Sequence, residues 1–328
     1  MGVRRHGGGM RTKVAIALAT VYVVWGSTYL AIAVADRTLP PLLMLAVRFG
    51  VAGAILYGWS WWRGDLRAAR PGRREWTAAA IVGALLLFVE TGSVAWAEQR
   101  VASGLTALLV ASVPLFSALL DRTVFGVRLS LGGLAGIATG LFGVALLVGP
   151  SAHIDPIGAG VLLAGAFAWA AGSAYARVAP LPSASFLSTA MQMLCGAALL
   201  AIAGVASGEL GQVHLAKVSA GSLGAFAYLI VIGSIVAYTA YGWLLQSGTS
   251  SVVLSTYAYV NPAIAVVLGW LFAGEAVNGR EIAAGAVILA SVGMLMLGRA
   301  PRAKKAERPA WRPSPRPRPE LAPPVPPR

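Results

Sequence analysis

Long runs of apolar residues, separated by short polar breaks, recur along nearly the whole chain. Each run is about 20 residues long, which is the length that an α-helix needs to cross roughly 30 Å of hydrocarbon. The breaks contain turn residues such as Pro40 and Pro71, and each is too short for a folded domain. The pattern predicts an all-α membrane protein with ten transmembrane helices, at residues 14–35, 41–62, 76–97, 101–121, 131–149, 157–177, 185–206, 221–243, 251–272 and 281–298.

Two copies of a short motif indicate that these helices form two related halves. The letters GSTY occur at residues 26–29 and GSAY at residues 172–175, in the first and the sixth predicted helix. Because an odd number of membrane crossings separates the copies, they cross the bilayer in opposite directions, which is typical of inverted repeats in transporters. Pro114 and Pro262 match at a similar offset and predict helix kinks. We therefore predict two inverted five-helix repeats, at residues 14–149 and 157–298.

Composition and charge agree with a membrane protein. Charged residues make up 12% of the chain and its mean hydropathy is +0.73, whereas soluble domains have about 25% charged residues. Of the 26 Lys and Arg residues, 21 lie on one side of the predicted topology and 4 on the other. The positive-inside rule therefore predicts that both termini are cytoplasmic and that the protein lies in the cell inner or plasma membrane. The net charge of +14 is then largely a topology signal and is weak evidence for nucleic-acid binding.

The two ends of the chain are polar. Residues 1–13 are predicted as a basic cytoplasmic segment, and residues 299–328 contain ten prolines and nine basic residues. This composition predicts a disordered cytoplasmic tail, because almost nothing in it is available for burial. The tail either is a solvated end to the last helix, or binds anionic lipid headgroups or a protein partner.

Several short segments resemble one known family. They are WGSTY at 25–29, LPP at 39–41 with Arg48 and Phe49 after it, WAEQ at 96–99, VPLF at 113–116 and, in the second half, Asn261 with Pro262. On these segments, residues 14–298 are similar to the EamA-type family of the drug/metabolite transporter superfamily. The resemblance implies a ten-helix exporter-like fold, a central cavity between the halves, alternating access, and substrates that range over amino acids, metabolites and drugs.

Aromatic and hydroxyl residues at equivalent points of the two predicted halves, with further polar residues inside the predicted helices, are the candidates for the cavity lining. Such residues bind amphiphilic or cationic small molecules through contact area, cation–π attraction and a few hydrogen bonds. For each aromatic residue, the alternative is a packing role or an anchor at the lipid interface. The predicted substrate-binding residues are Trp25, Ser27, Tyr29, Arg48, Glu90, Trp169, Ser173, Tyr175, Tyr238, Tyr257 and Asn261.

Two of these residues carry charge inside a predicted helix. Glu90 lies well inside the third helix, where the resembling family commonly has an asparagine. A charge near the bilayer centre costs about 2.5–3.5 kcal/mol on insertion scales, so such groups usually face a cavity or a partner. We hypothesise that Glu90 couples transport to protons; the alternative is a structural carboxylate. Arg48 either pairs with Glu90 or a substrate anion, or reaches toward the interface.

The residue inventory argues against enzymatic chemistry and predicts neither cofactor nor metal. The three histidines, at positions 6, 153 and 214, lie outside the predicted helices, and the single cysteine, Cys195, excludes an intramolecular disulfide. The sequence therefore predicts a secondary active transporter, exporting small organic metabolites, amino acids or drugs. The alternatives are a channel or passive facilitator, or a ligand-binding sensor or scaffold without transport. The predicted partners are a small-molecule substrate and the lipid bilayer; the oligomeric state stays open.

Small residues at a four-residue spacing make a further prediction about packing. Gly132, Gly136 and Gly140 lie on one face of the fifth predicted helix. Such a face allows the backbones of two membrane helices to approach closely. The spacing predicts a helix contact, either within one protomer or between two.

Overall fold

The computed structural model describes residues 6–97, 106, 109–127, 130–148, 155–214, 216, 218–273 and 278–297, and within these ranges it contains helices and no strands. The prediction of an all-α protein is thereby confirmed. The helices are α1 (His6–Ala35), α2 (Pro41–Trp62), α3 (Asp65–Ala69), α4 (Arg73–Ala97), α5 (Val113–Phe125), α6 (Leu131–Val148), α7 (Pro156–Ala176), α8 (Ser185–Ala206), α9 (Ala220–Gln246), α10 (Ser251–Leu254), α11 (Tyr257–Ala273) and α12 (Gly279–Leu297).

Seven helical stretches of the described chain are long and apolar enough to cross a membrane. They are Thr12–Ile32, Pro41–Trp62, Arg73–Ala97, Pro156–Ala176, Ser185–Ala206, Ala220–Gln246 and Ser251–Leu268. Two shorter apolar stretches, Leu131–Leu146 and Ile282–Leu295, lie in α6 and α12. Each of the ten predicted segments thus includes residues that the structure describes as helical. Helix α1 begins earlier than predicted, at His6, within residues 1–13 that were predicted as a cytoplasmic segment. The predicted tail at 299–328 lies outside the described residues.

The starts of several helices follow from local sequence. Helix α7 begins at Pro156, and the Asp155 side chain accepts a hydrogen bond of 2.9 Å from the backbone N–H of Gly158. Helix α10 is capped in the same way by Ser250. These side chains satisfy backbone donors that have no partner within the first helical turn.

The largest helix contacts join the first predicted half to the second, and they occur in matched pairs. Helix α2 packs against α8, and α6 against α12, so each of these pairs joins equivalent helices of the two halves. Helix α1 packs against α9 and α11, as the equivalent helix α7 packs against α4 and α5. Helix α2 also contacts α9, as α8 contacts α4.

The contact between α6 and α12 depends on glycines. A Cβ atom added to Gly140 would lie 2.5 Å from the Tyr259 ring and 2.6 Å from the Ser291 hydroxyl, and one added to Gly136 would lie 2.8 Å from Leu295. The Ser291 hydroxyl donates a hydrogen bond of 2.9 Å to the Gly136 carbonyl. The close approach predicted at Gly136 and Gly140 is therefore confirmed, and it lies within one chain.

Two long helices contain π-helical segments that the sequence pattern did not indicate. Residues Ala84–Thr91 of α4 and Leu229–Val236 of α9 are π-helical, and the second segment follows the first at an offset of 145 residues. π-Helical turns are rare and often occur at functional sites, because they displace side chains from the regular helical repeat. The two segments lie at equivalent positions of the two predicted halves.

The two predicted kink prolines occupy different places. Pro262 lies inside α11. Pro114 lies instead in the first turn of α5, directly after a turn at residues 111–112. Proline is tolerated in a first turn, since the N–H that it lacks would have no intrahelical partner there. The prediction of a kink within a continuous helix at Pro114 is therefore replaced by a helix start.

Candidate functional site

Five buried aromatic rings from four helices meet at the centre of the molecule. The centroid of Trp25 in α1 lies 5.4 Å from Trp169 in α7, 5.0 Å from Tyr238 and 5.2 Å from Tyr241 in α9, and 4.9 Å from Tyr257 in α11. Most of these ring pairs are edge-to-face or tilted, which is the favoured geometry for aromatic contacts. We call these five residues the aromatic cluster. It unites three helices of the second predicted half around a tryptophan of the first.

The polar tips of the aromatic cluster are hydrogen-bonded. The Trp169 indole N–H donates to the Tyr241 hydroxyl at 2.8 Å, and the Ser173 hydroxyl shares a hydrogen bond of 2.7 Å with the same oxygen. The Trp25 indole N–H donates to the backbone carbonyl of Gly233 at 3.3 Å. Gly233 lies in the π-helical segment of α9, so this segment directly contacts the cluster.

Arg48 of α2 is buried next to the aromatic cluster, with 3% of its surface exposed. Its Nε atom donates a hydrogen bond of 2.8 Å to the Ser234 hydroxyl in the π-helical segment of α9. Its guanidinium carbon lies 5.0 Å from the centroid of Phe49, whose ring contacts Tyr238. Arg48 therefore faces the interior and does not reach toward the interface.

Glu90 also lies near Tyr238, in the π-helical segment of α4. Its side chain is buried, and Oε2 accepts a hydrogen bond of 3.0 Å from the Thr91 hydroxyl. Tyr238 interacts with Thr91 and lies within electrostatic range of both Arg48 and Glu90. Within the described part of the chain, Arg48 and Glu90 form no direct ion pair. Arg48 and the buried carboxyl group of Glu90 thus both lie near one tyrosine without forming an ion pair with each other.

The remaining predicted residues are divided between this site and other places. Asn261 is buried in α11, and its amide, oriented so that the NH₂ group donates, reaches the carbonyl oxygen of Tyr257 at 3.0 Å. Ser27 shares a hydrogen bond of 2.5 Å with the hydroxyl of Tyr228, outside the aromatic cluster. Tyr175 lines a separate surface cleft. The Tyr29 side chain lies outside the described part of the structure.

The space beside the aromatic cluster is small. An internal cavity of about 10 Å³ is bounded by two of its members, Tyr238 and Tyr241, together with residues of α4, α8 and α9. This volume is at most that of one water molecule, whereas sites for small organic ligands have several hundred Å³. The structure therefore has a closed centre.

One end of the molecule carries a partly exposed ion pair that was not among the predicted site residues. Arg177, after the end of α7, lies 3.1 Å from Asp121 of α5, and the Ser251 hydroxyl donates to the same carboxylate oxygen at 2.9 Å. The Arg177 guanidinium also donates to Ser251. These three residues, which we call the Asp121 contact, join the two predicted halves. In the sequence, this contact is marked only by one acidic residue, Asp121, at the end of the predicted helix at 101–121.

The opposite end is held by a different carboxylate. Glu209, in the turn after α8, accepts hydrogen bonds from the backbone N–H groups of Leu42 (3.2 Å) and Leu43 (2.8 Å), in the first turn of α2. Helix α8 has 22 residues, or about 33 Å, and runs from the neighbourhood of Arg177 to Glu209. The Asp121 contact and this Glu209 contact therefore lie at opposite ends of the molecule.

Asp36 lies near the Glu209 contact, after the end of α1. Its carboxyl group remains partly exposed to solvent. The protein atoms packed around it, together with the negative charge of Glu209, raise the pKa of Asp36 to about 6.

Apolar helices of bilayer length, packed around a buried centre of aromatic and charged side chains, define a polytopic integral membrane protein. The chain matches the EamA-like transporter family over residues 12–149 and again over residues 156–297. It belongs to that family, and the resemblance seen in the motifs is confirmed. The chain is a membrane transporter of the EamA family.

Relatives of known name support the same class. The chain is 38% identical over 285 residues, 86% of this chain and 90% of the relative, to the "Uncharacterized inner membrane transporter YedA" of Escherichia coli K12. It is 27% identical to a "Probable amino-acid metabolite efflux pump" of the same bacterium, over 72% of this chain and 79% of the relative. It is 25% identical to a "Probable terminal-alkyne amino-acid exporter" of Streptantibioticus cattleyicolor, over 92% of this chain and 99% of the relative.

A solved crystal structure of another protein has the same fold. The TM-score is 0.72 at 21% sequence identity, over 88% of this chain and 99% of that chain. At this identity the likeness concerns the fold alone. The inner-membrane relative and the apolar helices support an integral protein of the inner membrane.

Proposed function

We propose that this transporter exports small zwitterionic molecules, amino acids or amino-acid-like metabolites, by alternating access between two inverted five-helix halves. The observation that carries the proposal is the aromatic cluster, in which Tyr238 lies within electrostatic range of both the buried Arg48 and the buried Glu90. A zwitterion presents a carboxylate, an ammonium group and an apolar side chain, and each has a matching group in this centre.

Three kinds of side chain in this centre correspond to the three groups of a zwitterion. Arg48 is a planar donor suited to a carboxylate, and only its Nε–H is used by Ser234 in the closed structure. Glu90 and the aromatic rings attract an ammonium group, the rings through cation–π interaction. The ring faces of Trp25 and Trp169 provide apolar contact area for a side chain. The two relatives whose names mention amino-acid export are consistent with this substrate class.

Two observations support the two-repeat arrangement. The family matches the chain twice, with one match in each proposed half. The helix contacts occur in matched pairs, and the π-helical segments lie at equivalent positions. In an inverted repeat, the same packing can be exchanged between the two ends of the molecule, which is the basis of alternating access.

The closed centre represents one state of the proposed cycle. Substrate must separate rings that are now in contact, so binding and opening of the halves are linked. Opening at one end breaks the Asp121 contact, which joins α5 to α7 and α10 across the halves. Opening at the other end loosens the Glu209 contact with α2. We also propose that the Asp121 contact faces the cytoplasm, because the Arg-rich break at residues 63–74 lies at the same end.

Glu90 is the proposed proton-coupling residue, since it is a buried acid next to the substrate groups. The test is amino-acid transport into proteoliposomes with an imposed pH gradient. We expect Glu90→Gln to lose most of the acceleration that the gradient gives, while Glu75→Gln, at the start of the same helix, keeps it. If Glu90→Gln retained the full dependence on the gradient, proton coupling through Glu90 would be refuted.

The same vesicles separate the transporter from the other functional classes. A secondary transporter accumulates labelled substrate above its equilibrium concentration, whereas a channel or facilitator only equalises concentrations. A sensor or scaffold binds substrate, as detected by a thermal shift, but moves none. Accumulation that collapses when a protonophore is added is the result expected here.

A further inference from the structure

A second cavity lies away from the aromatic cluster, at the end of the molecule that carries the Asp121 contact. It is an open cleft of about 450 Å³ between the start of α4 and the end of α7. It is lined by Arg73, Arg74, Thr77, Ala78, Tyr175 and Pro180. Tyr175 belongs to the second copy of the repeated motif, and the structure directs it here instead of into the aromatic cluster.

The cleft lies at the depth of lipid headgroups. The membrane-length stretch Arg73–Ala97 begins at the cleft, and the stretch Pro156–Ala176 ends there. At the same end of α2, Trp61 and Trp62 are 67% and 74% exposed. Exposed tryptophans at a helix end are typical of the boundary between hydrocarbon and headgroups.

Three side chains of the cleft, those of Arg73, Arg74 and Tyr175, offer donors that are not used inside the described part of the protein. Arg73 and Arg74 are exposed, and within the described part of the chain neither forms an ion pair. The Tyr175 hydroxyl is half-buried and makes no hydrogen bond to another described residue. The nearby acid, Glu75, is engaged by the backbone N–H of Gly72 at 2.8 Å. Two guanidinium groups and a phenolic donor suit the oxygens of a phosphoryl group.

We propose that this cleft binds the phosphodiester headgroup of an anionic phospholipid. Basic pockets between membrane helices are typical sites for such headgroups. From the cleft, the acyl chains can follow the lipid-facing side of α4, where Ile81 is 40% exposed one turn deeper than Thr77. The bound lipid contacts both proposed halves, since α4 belongs to the first and α7 to the second. The proposal rests on the cleft alone and does not depend on the transported substrate.

The test measures lipid binding to purified full-length protein by native mass spectrometry. Protein in detergent is titrated with phosphatidylglycerol and, separately, with phosphatidylcholine. We expect tighter binding of phosphatidylglycerol, and an affinity that falls about 30-fold in Arg73→Gln/Arg74→Gln, because each basic residue near a headgroup contributes roughly fivefold. The control Arg63→Gln/Arg67→Gln removes two charges from the same break but outside the cleft, and it should keep nearly full affinity.

Two results would overturn the proposal. Equal loss in both double variants would indicate a diffuse attraction to the whole basic break, without a built site. Stabilisation of the wild-type protein against heat by inorganic phosphate or glycerol phosphate, equal to that by phosphatidylglycerol, would indicate a soluble anion instead of a lipid. Tyr175→Phe gives a finer check: a few-fold loss for phosphatidylglycerol is expected, and no loss would exclude the phenol from the site.

Discussion

Removing the charge of Asp121 should open the end of the molecule that the Asp121 contact now closes. The carboxylate and the Arg177 guanidinium are 3.1 Å apart, with 7% and 25% of their side chains exposed. Breaking a fully buried pair costs about 3–5 kcal/mol, and an exposed pair contributes less than about 1 kcal/mol. For this partly exposed pair we take about 2 kcal/mol. Asp121→Asn should therefore shift the equilibrium between closed and open forms about 30-fold toward the open form.

The assay follows the accessibility of a cysteine placed beneath the contact. Val252 adjoins Ser251 and is 5% exposed, so Val252→Cys in a Cys195→Ala background reports opening through its rate of reaction with a membrane-impermeant maleimide. We expect this rate to rise about 30-fold with Asp121→Asn. The neighbouring charge at Arg122 lies outside the ion pair, and Arg122→Gln should leave the rate unchanged.

A double-mutant cycle decides whether the two charges act together. If the two charges act as one unit, the cysteine in the Asp121→Asn/Arg177→Gln variant should react with the maleimide no faster than in the faster of the two single variants. The second substitution then removes an interaction that is already lost. Unchanged labelling in both single variants, or an equal rise with Arg122→Gln, would refute the reasoning that this contact holds the end closed.

Three further predictions concern stability, each measured by thermal unfolding in detergent. Folding raises the pKa of the Asp36 carboxyl group. The contribution of this group to the free energy of unfolding is therefore fully present below about pH 4 and is lost as the pH rises through about 6. Wild-type stability relative to Asp36→Asn should therefore fall between pH 4 and 7; a constant difference would contradict the raised pKa. Glu209→Ala should lower the free energy of unfolding by about 2 kcal/mol, because it removes the buried cap of α2, whereas Glu75→Ala should lower it by about 0.5 kcal/mol at a more exposed cap. Equal losses in the two variants would show that the buried cap contributes no more than the exposed one. Gly140→Ala should lower the free energy of unfolding by about 1–2 kcal/mol, because the added methyl group overlaps its neighbours. Gly285→Ala is the control, since a methyl group there meets open space and should not destabilise the protein. An unchanged stability in Gly140→Ala would contradict a tight contact at this position.

The helices could be predicted from the sequence because a bilayer imposes one simple requirement, an apolar run of sufficient length. Trp25, Trp169, Tyr238 and Tyr257 were all among the candidate cavity residues, because each places a polar tip on an apolar body inside a predicted helix, and the structure brings the four rings together. Tyr175 could not join them. It follows Trp169 by six residues, which is about 9 Å along the axis and about 240° around it, so the two side chains face different directions.

Other features depend on packing that no local pattern records. The π-helical segments contain ordinary apolar residues for the most part, so their composition does not distinguish them from α-helix. The partners Asp121 and Arg177 are separated by 56 residues, and only the tertiary arrangement brings them together. Pairing of Arg48 with Glu90 was one of the alternatives open from the sequence; in this structure Arg48 donates to Ser234 instead, and the described residues include no ion pair between Arg48 and Glu90.

The paired π-helical segments bear on the history of the chain. A π-helix forms i→i+5 hydrogen bonds where an α-helix forms i→i+4 bonds, so one residue inserted into an α-helix is a simple origin for such a segment. If the halves arose by duplication, a single insertion in the ancestral half accounts for both segments. At the offset of 145, Glu90 corresponds to Ile235, and Ser234 corresponds to Val89. Under such a duplication the backbone irregularity would be common to both halves, and the two copies would then have diverged in side chains: the first carries the acid Glu90, and the second carries Ser234, whose hydroxyl accepts the hydrogen bond from Arg48.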